Sequence, residues 1–193
     1  ALLDYLVFLN SDTIVPPNWW RKLVRCAESS PDIGIVGPLS NAASWQTIPV
    51  LREGSGYCIN SLPPGVTIAD ADRICEETAR PGFYPKCQLI NGFCFFVKKA
   101  VFDRIGLFDE ENFPTGYGEE DDLCFRAVNA GFVSAMAVDT YVFHAKSKSF
   151  GHATRQELCR QNQQKFLKKH PRSRLERECK TLEAIPELIR MRT

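Results

Sequence analysis

No stretch of the 193-residue chain approaches the roughly 18 apolar residues of a membrane span, and the opening run from Leu2 to Leu9 already contains Asp4. A soluble chain with no membrane span is the expectation. Neither charge predominates: 24 Lys and Arg stand against 23 Asp and Glu, for a net charge of +1. Phosphate binding along a nucleic acid normally leaves a basic excess, so no nucleic-acid partner is expected. The eight cysteines, Cys26, Cys58, Cys75, Cys87, Cys94, Cys124, Cys159 and Cys179, are evenly spread and include no Cys-x-x-Cys pair. Reduced, mostly buried thiols are expected ahead of a disulfide framework, and a zinc site is expected less still. Internal repeats, low-complexity tracts, an initiator Met and a signal peptide are also missing. The sequence opens inside an apolar strand pattern and reads as cut from something longer. What is present is ordinary globular usage, 44% apolar and 24% charged, at a length that supports one domain with a real core.

Leu2 to Leu9 is a nearly continuous apolar run ending in Asn10-Ser11-Asp12, which predicts a strand buried on both faces whose carboxyl end delivers polar residues to a sheet edge. In open α/β sheets ligands sit at that edge. Pro16-Pro17-Asn18 then starts a helix carrying Trp19, Leu23, Val24 and Ala27 at helical spacing until Pro31. A second short strand is predicted from Ile33 to Val36. Residues 37–80 mix Gly, Pro, Asn and Ser, with a short helix near Ala69 to Ala79, as binding loops often do. Leu89 to Val97 is strand-like, interrupted by Asn91-Gly92, and Lys98 to Ile105 reads as a helix closed by Gly106. Glu119 to Ala130 is a helix stopped by Gly131, and Phe132 to Phe143 gives strand pieces ending at His144. Two helices, Thr154 to Lys169 and Arg174 to Arg192, close the chain. The second places Leu175, Leu182 and Ile189 seven apart, a stripe suited to packing on the domain or on a partner.

Three element ends carry the chemistry. Asp12 can reach a divalent cation on a diphosphate, or serve as a turn residue before Thr13. Glu119-Glu120-Asp121-Asp122 opens a helix with more acid than its dipole needs, since four in succession repel one another. Such a cluster supplies a general base and hydrogen-bonds acceptor hydroxyls, or else is a solvated helix start. His144 ends an apolar strand ahead of Lys146, Ser147, Lys148 and Ser149, a suitable place for a metal ligand beside phosphate-binding groups.

In order and spacing, these segments resemble the glycosyltransferase family 2 enzymes over roughly residues 4–152. Phe8-Leu9-Asn10-Ser11-Asp12-Thr13 with Pro17-Asn18-Trp19-Trp20 is similar to the family's metal-binding acidic motif, although position 10 is Asn where a strict DxD motif has Asp. Asn91-Gly92-Phe93-Cys94 and Val101 to Asp109 resemble the central acceptor-side segment, where a glycine lets backbone approach the donor sugar. Gly116 to Ala127 resembles the acidic helix that carries the catalytic base, and Asp139 to His144 the segment with the third metal ligand and a phosphate-side loop. Pro38 to Gln46 resembles a loop that lies near the acceptor in one branch of the family. Its alternative role is a turn anchored by Trp45 in the core.

The resemblance implies an α/β fold: a GT-A-like mixed sheet flanked by helices, N-terminally truncated, with a catalytic metal and acceptor part at 1–152 and a helical C-terminal extension at 153–193. It implies an inverting transfer from a nucleotide-sugar donor to a glycan, lipid-linked or protein acceptor, with Mn2+ or Mg2+ as cofactor. Glu120 is the expected base, with Asp121 its rival, and Asp12 and His144 are the metal ligands. Asn10, Ser11, Asp12, Gly92, Lys146 and Lys148 would meet the donor and its diphosphate. Trp45, Gly118, Glu119 and Asp122 would meet the acceptor. A homo-oligomer or a larger multidomain chain fits this reading, as does a cytoplasmic setting, with the membrane surface as the alternative. Two other classes stay open: a noncatalytic carbohydrate-binding or scaffold remnant, and an interaction module. The latter would dock a partner or membrane through Arg155, Arg160, Lys165, Lys168, Lys169, Arg172 and Arg174, against the plainer expectation that these helices pack back.

Overall fold

The computed structural model describes residues 4–146 and 152–192. In chain order the elements are β1 (Tyr5–Leu9), β2 (Thr13–Ile14), α1 (Trp19–Glu28), β3 (Ile33–Leu39), a 3-10 turn (Ser44–Gln46), β4 (Arg52–Glu53), β5 (Gly56–Tyr57), α2 (Ile68–Thr78), β6 (Lys86–Cys87), β7 (Cys94–Lys98), α3 (Lys99–Ile105), α4 (Glu119–Asn129), β8 (Val133–Tyr141) and β9 (Phe143–His144). Three helices follow: α5 (His152–Lys169), α6 (Arg172–Glu183) and α7 (Pro186–Met191). Five strands form one mixed sheet in the order β1-β7-β3-β8-β6, in which only β3 and β8 run parallel.

The two-residue period of a strand sends alternate side chains to opposite faces, and the sheet divides its core that way. Phe95 and Val97 of β7, with Met136 and Val138 of β8, join Leu123 and Phe125 of α4 on one face. Cys94, Phe96, Ala135 and Ala137 join Leu23, Cys26 and Ala27 of α1 on the other. Helices thus cover both faces of the sheet, a three-layer α/β arrangement. All eight cysteines are unpaired and five of them are buried. Among the described residues no helix is long and apolar enough to cross a membrane.

Four expectations need correction. β1 is not buried on both faces: it pairs with β7 alone at the sheet edge, and Val7, Phe8 and Leu9 stay 37–42% exposed. The second strand runs on to Leu39 through Pro38, and residues 88–93 form no strand. The helix expected from Arg174 to Arg192 is two helices, because Pro186 lacks the amide a continuous helix needs there and instead opens α7. The seven-residue stripe is broken accordingly, with Leu182 buried and Ile189 exposed.

The C-terminal helices pack back onto the domain. Phe166, Leu182 and Leu188 lie in the α4-side core. Lys165 Nζ donates to Asn112 O at 2.8 Å, and the Arg174 guanidinium donates to Gln88 Oε1 and Asn129 Oδ1. Part of the expected basic docking face is therefore engaged within the chain; the Arg155 side chain lies outside those described.

Candidate functional site

The side expected to bind metal is assembled by a two-residue ladder. β2 pairs antiparallel with β9, setting Thr13 opposite His144, and Ala145 N donates to Asp12 O at 2.9 Å. Asp12 Oδ1 and His144 Nε2 consequently stand 3.3 Å apart. Three contacts hold the histidine: Asn41 accepts from His144 N at 2.7 Å and donates to His144 O at 3.0 Å, and Phe93 stacks on the ring at 5.2 Å between centroids. His144 Nδ1 lies 3.0 Å from Ala42 O, which can only accept, so Nδ1 carries the hydrogen. Burial and the nearby Lys146 charge lower the His144 pKa and favour the neutral ring.

The Nε2 lone pair therefore faces a carboxylate oxygen, an arrangement that a shared cation would relieve. A backbone carbonyl fixing the far nitrogen is also how metal-ligating histidines are commonly oriented. Asn10 Nδ2 lies 3.4 Å from the same Nε2. Among the described residues no group of three or more His, Cys, Asp or Glu could hold a metal ion. The two donors fit an ion that takes most of its oxygens from a diphosphate and water.

Ser11 and Asn10 are exposed beside this pair, and Lys146 follows β9 with φ 54°. Lys148, with Ser147, Ser149 and Phe150, lies outside the described residues.

The acid side depends on how α4 begins. Gly116, Tyr117 and Gly118 all have positive φ, and Gly118 (φ 119°) turns the chain into the helix. Glu120 Oε2 accepts from Gly118 N at 3.2 Å, and the Glu120 carboxyl folds over Gly92. A Cβ at position 92 would lie 3.2 Å from Glu120 Cγ, Cδ and Oε1, so the space expected to admit a donor sugar holds the Glu120 side chain.

Neighbouring acids diverge. Burial and the Glu120 charge push Glu119 up to about 7, and desolvation with both glutamates pushes Asp121 well above the ordinary range. Burial alone would raise Asp122 too, but His170, Lys169 and Arg126 pull it well below the usual carboxylate range. Its oxygens lie 2.8 Å from His170 Nε2, 2.6 Å from Lys169 Nζ and 2.7 Å from Arg126 Nε, and its side chain is fully buried. Asp122, expected to meet the acceptor, is thus turned inward and ties α4 to the junction of α5 and α6.

Two clefts meet at Glu120. One, of about 530 Å3, runs along Val7, Phe8, Leu9 and Asn10 to Gly92 and Glu119. The other, of about 480 Å3, lies between Trp45, Asn91, Tyr117, Gly118, Asp121 and one side of α5. Trp45 is 8% exposed, so it is a core residue that also walls this cleft. Sequence reasoning missed the supports: Asn41, which clamps His144, and the fully buried Gln46, which donates to Pro38 O and accepts from Asn91 N, both at 2.7 Å. Their signal was the likeness of Pro38 to Gln46 to an acceptor-side loop, which singled out neither side chain.

A five-stranded mixed sheet with helices on both faces, and acidic and histidine element ends gathered near Gly92, defines a GT-A-like α/β domain. The family model described as "Glycosyltransferase like family 2" matches residues 3–162. The chain belongs to that family. It is similar to the N-acetylglucosaminyl-diphospho-decaprenol L-rhamnosyltransferases of two Mycobacterium tuberculosis strains, CDC 1551 / Oshkosh and ATCC 25618 / H37Rv. Each is 26% identical over 171 residues, covering 85% of this chain and 54% of the relative. The chain thus spans about half the length of the curated relatives it matches.

Proposed function

We propose that this chain is the metal- and acceptor-side part, residues 1–152 with the packed helices 153–193, of an inverting glycosyltransferase that moves a sugar from a nucleotide-sugar donor to an acceptor hydroxyl. The observation that carries the reading is the Glu120 carboxylate at the meeting of two clefts, one of which reaches Asn10, whose Nδ2 lies 3.4 Å from His144 Nε2. Asp12 and His144 would hold Mn2+ or Mg2+, which would supply Lewis-acid stabilisation of the departing nucleoside diphosphate. Asn10, Ser11 and Lys146 line the diphosphate side. Glu120 takes the proton of the acceptor hydroxyl as that oxygen attacks the anomeric carbon. Raised pKa values at Glu119 and Asp121 reduce the negative charge around the base, so the cluster tolerates a hydroxyl between its carboxyls.

The printed name of the two relatives supports a lipid-linked saccharide among the glycan, lipid-linked and protein acceptors. The alternative, a noncatalytic carbohydrate-binding remnant, draws its support from the two-donor metal set.

Mn2+-dependent thermal stabilisation by a panel of nucleoside diphosphates tests the reading. The expected result is a shift with one nucleotide that Asp12→Ala and His144→Ala each abolish. A shift indifferent to both substitutions overturns the metal assignment. Failure of every nucleotide, in this chain and in a longer one, overturns the donor site.

A further inference from the structure

Resting on that reading, we propose that Asn162 of α5 is a positioning residue for the base: it holds the Gly116 carbonyl and so sets the turn against which the Glu119 and Glu120 carboxyls lie.

α5 meets the segment ahead of the acidic helix along one line. Asn162 Nδ2 donates to Gly116 O, Lys165 Nζ to Asn112 O at 2.8 Å and Lys169 Nζ to Asp109 Oδ2 at 2.6 Å. Spacings of three and four residues put these side chains on one face of a helix, so a single rigid element grips the segment at each of these points. The grip nearest the acids is the buried one, with Asn162 only 3% exposed. It is also the one without charge. A lysine beside Glu119 and Glu120 would stabilise their carboxylates and weaken a base, whereas an amide N–H holds a carbonyl without that field.

The turn needs holding. Gly116 and Gly118 take positive φ freely, but between them Tyr117 sits at φ 65°, which a residue with a side chain keeps only where its surroundings fix it. Both carboxyls rest on this turn. A Cβ at position 116 would lie 3.7 and 3.8 Å from the two Glu119 carboxyl oxygens, and Gly118 N donates to Glu120 Oε2 at 3.2 Å. Releasing the Gly116 carbonyl therefore moves both carboxyls relative to the clefts.

The test follows 13C-labelled glutamate carboxyls by NMR across pH in the chain as it stands, with Glu119→Gln naming the Glu119 signal. In the unaltered chain Glu119 is expected to titrate at about 7, where burial and the Glu120 charge hold it. Asn162→Leu stays close in side-chain volume and removes the donor. It is expected to bring that midpoint down toward the ordinary 4.5 as the carboxyl escapes into water. Lys165→Met cuts the same helix from Asn112 and is expected to leave the midpoint unmoved. If Asn162→Leu does not fold, the unaltered chain still decides, because its Asn162 carboxamide resonances are expected to follow the Glu119 titration. In sugar transfer by Asn162→Leu, kcat is expected to fall about 10- to 100-fold with the donor KM retained, because the base is misplaced and the donor contacts are not.

A Glu119 midpoint that Asn162→Leu leaves in place, or that Lys165→Met lowers as far, overturns the proposal. An unchanged kcat, or a carboxamide signal indifferent to Glu119, does the same. The titration needs neither donor nor turnover, so it fails separately from the transferase reading. Full turnover in Glu120→Gln would overturn the base and leave Asn162 as the support of the turn.

Discussion

Two acidic regions of this protein use the same residue types to opposite ends. Between α1, α2 and β8, Lys22 Nζ meets Asp72 Oδ2 at 2.9 Å, Glu76 Oε2 at 2.8 Å and Asp139 O at 3.0 Å, while Arg25 and the Tyr84 hydroxyl both donate to Asp139 Oδ2. Asp72 Oδ1 also accepts from Tyr141 N, so the network closes on the backbone. Burial works to lower the Lys22 pKa, yet its hydrogen bonds to Glu76 and Asp72 raise it. At the start of α4, by contrast, Glu119 and Asp121 are raised by burial and by one another's neighbour Glu120, and Glu119 Oε2 is buried with no hydrogen-bond partner among the described residues. Charge that is paired holds a fold together; carboxyls left to face one another beside a cleft are suited to exchanging protons.

The largest expected effect falls on the unpaired region. Glu120→Gln should lower sugar-transfer turnover by about 10²–10⁴ with the thermal transition retained, read by steady-state kinetics. Equal turnover would break the contrast outright. In the paired region, Asp72→Ala leaves Lys22 short of a partner and should cost about 3–5 kcal/mol in urea unfolding, without changing nucleotide affinity of the folded chain.

The two adjacent aspartates sharpen the comparison within a single helical turn. Asp122→Asn should destabilise strongly because Arg126, Lys169 and His170 lose their carboxylate, whereas Asp121→Asn should leave stability unchanged or improved. Glu119 gives a smaller, pH-dependent effect. Its folded value of about 7 lies above the ordinary 4.5, so the folded chain binds more protons across that window and stability falls as pH rises through it. Glu119→Gln should flatten that slope and raise the melting temperature above pH 7. Smallest of all, Asp32→Ala removes an exposed pair with Lys86 and should cost less than about 1 kcal/mol.

Much of this was legible in the sequence where one residue decides locally. Gly106 ends α3, and the apolar spacing of α1 names its buried face. The acid-bearing helix start and the strand-end residues Asp12 and His144 could be found the same way. The division between Asp121 and Asp122 could not, because it is set by Lys169 and His170, 47 and 48 positions downstream of Asp122, meeting one side of the helix. The edge position of β1 was equally hidden: an apolar run states a preference for cover, and only tertiary pairing shows which side receives it. Pro186 was the reverse, a visible breaker overridden in the reading by a persuasive heptad.

The β2–β9 ladder has a consequence for the order in which the molecule forms. Its two rungs join residues 13 and 14 to 144 and 143, almost the full length of the described sheet domain. Closing so long a loop is entropically slow, and contacts of such sequence separation form late. The Asp12 and His144 pair therefore does not exist in any partly folded chain that lacks this closure. If that pair holds the proposed metal, its uptake during refolding would time the arrival of the last strand and act as a clock for completion of the fold.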